Sequence, residues 1–202
     1  MARPIEIDRQ QALYQAMEVF WGQGYEASSV QTLLDAMGMN RGSMYSAFGD
    51  KRALFLAAID EYTHSLDELV KTLVVAPENP VEAIRGFFTS VVSQVPEEYC
   101  TKGCLLVNTI TEMSGVDDEL AIVANEKMKK VFAAIENRIT EGQEKGLINC
   151  GISANTYANY LQNSMKGFRV TSRLEEGRRS LSDIMELTLS VLDPINKSDP
   201  LT

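Results

Sequence analysis

Residues 28–51 read Ser28-Ser29-Val30-Gln31-Thr32-Leu33-Leu34-Asp35-Ala36-Met37-Gly38-Met39-Asn40-Arg41-Gly42-Ser43-Met44-Tyr45-Ser46-Ala47-Phe48-Gly49-Asp50-Lys51. Ser28 with Gln31 has the spacing of a capping box, which satisfies free N–H groups of a first helical turn. Val30, Leu33, Leu34 and Met37 then recur at helical spacing, and Gly38 ends that helix. Asn40 suits the N-cap of a second short helix, Arg41 to about Phe48, which Gly49 stops. Gly38 fits the bend because glycine accepts positive φ freely. The spacing predicts that Val30, Leu33 and Met37 pack against Tyr45 and Phe48. This is a helix-turn-helix layout.

Helical periodicity extends outward in both directions. Upstream, Asp8 with Gln11 reads as a capping box, and Ile7 is placed to staple onto Ala12. Leu13, Ala16, Met17 and Phe20 follow on one face, closed by Gly22 and Gly24. Downstream, Asp50 caps a long helix whose apolar face runs from Leu54 to Leu73, before Pro77. Further helices are predicted over 81–95, 104–114, 117–145, from Ser153 to about Leu174, and from Ser180 or Ser182 to Pro194, with a frayed tail over 196–202. No β-rich alternation appears. The expectation is an all-α chain of about nine helices. A helix-turn-helix domain over 1–52 would precede a helical domain over 53–202.

The chain has 202 residues and 45% hydrophobic residues, enough for a real core. Its net charge is −9, so it will not bind phosphate backbones indiscriminately. Locally the balance differs. Residues 40–52 carry Arg41, Lys51 and Arg52 against Asp50. The exposed start of the second short helix offers N–H groups to a phosphate. Gly42 removes a side chain where a groove wall comes close. Arg41 and Ser43 have the reach and chemistry for base edges or phosphates, and Tyr45 offers a hydroxyl on a rigid ring. Residues 1–56 hold five basic and six acidic residues, so non-specific binding should be weak and two copies needed.

Enzyme chemistry finds little support. The single histidine, His64, falls in the polar part of a helix. There is no Gly-x-Ser-x-Gly elbow, Walker loop or dinucleotide fingerprint. Cys100, Cys104 and Cys150 are too few for a disulfide scaffold and have no zinc-finger spacing. No catalytic residue, metal or cofactor is expected. The acidic start of the chain is unlike a signal peptide, and no apolar run nears the roughly 20 residues of a membrane span. A cytoplasmic protein without membrane contact is expected.

The quoted stretch resembles the tetracycline-repressor (TetR) family of bacterial regulators. The shared pattern is a hydroxyl cap, an apolar pair, a small residue, Gly, an apolar residue, then Gly-hydroxyl-x-Tyr-x-x-Phe and Lys. Leu34 departs from it, where Ala is common. The resemblance is strong over roughly 8–60; beyond that, helix number and length agree. It implies a homodimeric repressor on a palindromic operator in double-stranded DNA, released by a small-molecule effector. By position, Ser28, Ser29, Tyr45 and Lys51 would hold phosphates. Asn40, at the cap of the recognition helix, would also belong to the DNA-binding set, Arg41, Gly42 and Ser43 would face the groove, and Arg3 would serve as a minor-groove arm. The dimer interface would fall on the last two long helices, through Leu161, Gly167, Phe168, Ile184, Leu187 and Val191. Candidate effector-pocket residues are Phe87, Phe88, Tyr99, Cys104, Met113, Met128, Phe132, Tyr160 and Met165. Few charges read as buried in this half, which favours a small or moderately apolar effector. Cys104 at a helix start, near Lys102, has three readings: a thiol that senses oxidants or electrophiles, a pocket wall, or simple packing. An all-helical dimeric adaptor without specific DNA binding is the alternative function.

Overall fold

Asp8 caps the first helix by accepting the Gln10 N–H at 2.9 Å, and the chain is helical for most of its length from there. The computed structural model describes residues 8–194; Arg3, Ile7 and the tail from 196 lie outside them. The helices are α1 (Arg9–Gln23), α2 (Val30–Met37), α3 (Arg41–Phe48), α4 (Lys51–Val70), α5 (Pro80–Phe88), α6 (Glu97–Cys100), α7 (Leu105–Met113), α8 (Asp118–Glu144), α9 (Ala154–Thr171), α10 (Glu175–Arg178) and α11 (Leu181–Leu189). Among the described residues there is no strand. Nine of these helices match the expected ones, and the four-residue α6 and α10 are additions. The ends of α4 and α5 loosen into π-helical turns, Lys71–Val75 and Thr89–Ser93, which no periodicity argument anticipated. No helix among the described residues is long and apolar enough to cross a membrane.

The chain gathers into two compact units. The first combines the chain up to Ser65 with Cys104–Glu126; the second combines Leu66–Gly103 with the chain from Lys127 onward. The first unit therefore extends past residue 52 and takes in α7. Its core joins Ala16 and Phe20 of α1, Leu33 and Met37 of α2, Met44 of α3, Leu54 and Phe55 of α4, and Leu106 and Met113 of α7, all buried. Phe55 sets its ring edge-on to Phe20, centroids 4.8 Å apart, and lies 4.9 Å from the ring of Tyr25.

In the second unit, Ile84 and Phe88 of α5, Ile135 and Ile139 of α8, Leu161 of α9 and Leu189 of α11 are buried together with Val74. Arg85 of α5 reaches Glu186 of α11 at 2.7 Å. Against expectation, this unit buries a cation. Arg169 is enclosed, donating to the carbonyl of Val91 at 2.9 Å and to that of Gly103. Those carbonyls replace the water a buried guanidinium loses.

Candidate nucleic-acid interface

The turn between α2 and α3 forms as its residues dictate. Gly38 sits at φ 64°, ψ 25°, the left-handed conformation, and Met39 N–H returns to the Leu34 carbonyl at 3.1 Å. Asn40 then caps α3, its side-chain oxygen accepting the Ser43 N–H at 2.9 Å. Met44 and Phe48, four residues apart, are buried. The opposite face of α3 presents Arg41, Gly42, Tyr45 and Ser46 to solvent, with Ser43 half-buried. A Cβ built on Gly42 would meet only Asn40 Oδ1, at 3.4 Å. Internal packing therefore does not demand glycine there; the room it leaves faces outward.

Several expectations need correction. Ser28 is not a surface hydroxyl: it is 0% exposed and donates to the Gly24 carbonyl at 2.5 Å. The cap of α2 is Ser29, which accepts the Thr32 N–H at 3.0 Å, while Gln31 donates to Asp35. Tyr45 does not join the core; it is 42% exposed, and Met44 takes the inward position. Arg52, counted with the basic patch, is spoken for: it binds Asp117 at 2.9 Å and Glu119 at 2.8 Å. The hydrogen bond from Arg52 holds the Asp117 carboxyl below the usual carboxylate range.

Lys51 places its ammonium 4.4 Å from the centre of the Tyr25 ring, a cation–π contact. Burial, and secondarily the charge of Glu26, push the Tyr25 hydroxyl above its ordinary range. A residue that sequence reading passed over is Arg9. Its guanidinium lies 4.7 Å over the Phe48 ring and donates to the Ala47 carbonyl at 3.5 Å. It thus adds a cation at the C-terminal end of α3, where the helix dipole favours one. The only hint in the sequence was a basic residue at the start of α1.

The loop between α1 and α2 is held by α7. Glu112 accepts the Tyr25 N–H at 3.0 Å and the Glu26 N–H at 2.9 Å. Gly24, at φ 85°, makes this possible, since a Cβ there would stand 2.7 Å from Glu112 Oε2.

Two models of known families cover most of the chain. One, described as bacterial regulatory proteins of the tetR family, matches residues 12–58; the other, a tetracyclin repressor-like C-terminal domain, matches residues 80–187. The chain belongs to the tetR family. Among TetR relatives, the uncharacterized HTH-type transcriptional regulator YezE of Bacillus subtilis is 32% identical over 196 residues, 96% of this chain and 100% of YezE. The HTH-type transcriptional repressor ComR of Escherichia coli is 26% identical, over 94% of this chain and 90% of ComR. A cysteine-substituted form of the TetR regulator CifR, complexed with 26-base-pair operator DNA, superposes with a TM-score of 0.81 at 25% identity, covering 95% of this chain and 100% of CifR. This chain is thus a TetR-type transcriptional regulator, and its exposed α3 face falls within the matched N-terminal segment.

The remaining TetR-derived expectations divide. Of the interface candidates, Ile184 and Leu187 on α11 are 44% and 72% exposed, Gly167 is exposed, and Val191 is half-buried. Leu161 and Phe168 are instead sealed inside their own unit, on the inward face of α9, and have no surface to give a partner. Of the pocket candidates, Phe87, Phe88, Met128, Phe132 and Met165 are buried in the second unit, with Tyr99 half-buried under the Lys102 ammonium. Tyr160 is 43% exposed and so lines no interior. Met113 and Cys104 are buried in the first unit. Cys104 does stand at the N-cap position of α7, but its side chain makes no capping bond, and its sulfur lies under the Tyr62 hydroxyl, which donates to it at 3.5 Å. That favours the packing or wall reading over a solvent-facing sensor.

Proposed function

We propose that this chain is a homodimeric repressor that binds a palindromic operator and is released by a small-molecule effector. The observation that carries the reading is the two-sided α3: Met44 and Phe48 anchor it, and Arg41, Gly42 and Tyr45 are left outward. Operator DNA in the complex of the similar CifR supports carrying this chemistry over. Arg41 and Ser43 would read base edges, while Ser29, Tyr45 and Lys51 would hold phosphates, with the segment 1–52 supplying the contacts. Arg9 joins them as a phosphate ligand. Two copies would set their recognition helices one DNA turn apart, roughly 34–36 Å. Selection of bound sequences from random duplex DNA is expected to return a palindrome. A lack of enrichment at low salt would favour the adaptor function instead.

Dimerisation is assigned to the outer face of α9 and α11. Val170 on α9, Leu174 at the start of α10, and Ile184 and Leu187 on α11 are exposed apolar side chains, available to a partner surface. An Ile184→Asp, Leu187→Asp variant is expected to elute as a folded monomer and to lose operator affinity. A dimeric mass in light scattering for that variant would move the interface elsewhere.

A further inference from the structure

The second unit contains a cavity of about 160 Å³ that the operator contacts do not use. Val92 and Val95, past the end of α5, and Leu181 of α11 form apolar walls. Ser93, Ser182 and Arg178 bring polar groups to the same space. Among the described residues no acidic side chain lines it. The Arg178 guanidinium is incompletely matched: Nη2 lies 3.9 Å from the exposed Glu97 carboxylate, but Nη1 is buried with no hydrogen-bond partner. A guanidinium keeps its charge under all ordinary conditions, and leaving one of its donors buried and unmade is costly. Arg169 in the same unit has two carbonyl partners, whereas Arg138 Nε is, like Arg178 Nη1, buried without one.

We propose that this cavity binds short-chain monocarboxylates. The carboxylate would sit on Arg178, whose planar fork matches its two oxygens, with the Ser93 and Ser182 hydroxyls as further donors. The hydrocarbon stem would lie against Val92, Val95 and Leu181. Drug-sized ligands occupy roughly 300–1,000 Å³, so this smaller space suits an acid of only a few carbons.

Calorimetric titration of the full chain with butyrate tests this without DNA, so its outcome is independent of the operator reading. Butyrate is expected to bind saturably, and neutral butyramide and inorganic phosphate are not. Arg178→Gln is expected to weaken butyrate by about 10- to 100-fold, the range for a lost charge-assisted hydrogen bond. Should that variant fail to fold, Val95→Phe, which fills the space and keeps the arginine, is expected to abolish binding equally. Absence of butyrate binding overturns the proposal. So does equal binding of butyramide, binding of phosphate in place of butyrate, or full affinity in both variants.

Discussion

An Arg41→Ala, Tyr45→Ala double variant is expected to lose sequence-specific DNA binding while unfolding at the wild-type temperature. Both side chains lie on the outward face of α3. Exposed substitutions of this kind shift stability by only about 0.5 kcal/mol. Each well-made contact to a base edge is worth about 1–3 kcal/mol, and a dimer presents every contact twice. Arg41 alone therefore accounts, at the low end, for about 2 kcal/mol of discrimination, or roughly thirtyfold, while loss of the Tyr45 phosphate contact lowers affinity for every duplex. Competition of a selected duplex against random duplex measures it. Unchanged discrimination would remove α3 from the role of recognition helix.

Phe55→Ala is expected to abolish binding for the opposite reason. Phe55 is 1% exposed and touches the rings of both Phe20 and Tyr25. Truncating a buried phenylalanine costs about 3–5 kcal/mol, through lost transfer energy and the cavity left behind. Against a typical total of about 5–15 kcal/mol, that is a large share. Denaturant unfolding is expected to show a much lower midpoint, with DNA binding failing in step. A cost under about 1 kcal/mol would mean that the site repacks and that the aromatic cluster is not central to the unit.

The helices were legible in the sequence because each signal is local. Asn40, Gly38 and Asp8 act on backbone groups two to four residues away, and the structure places each as a cap or turn. Side-chain direction was less legible. A register difference of one residue separates Ser28 from Ser29 and Met44 from Tyr45. On a helix that step is about 100°, enough to exchange inside for outside. Pairings distant in sequence could not be read. Arg52 looks like a DNA-facing cation until Asp117, 65 residues away, is beside it. Arg169 looks like a surface charge until the carbonyls of Val91 and Gly103 enclose it. The outward side of α9 and α11 was hard to read for the same reason: both helices are apolar on more than one side, and only packing reveals which side is already used.

The clasp of Glu112 on the Tyr25 and Glu26 amides bears on how such regulators can be recombined. A chimera that joins the first 52 residues to a foreign effector half would carry the loop without its carboxylate. Gly24 would then leave an empty notch, and two amides would lose their acceptor. Arg52, deprived of Asp117 and Glu119, would become a loose cation close in sequence to α3. The smallest portable reading head is therefore discontinuous, and a working transplant has to bring residues 104–126 along with it.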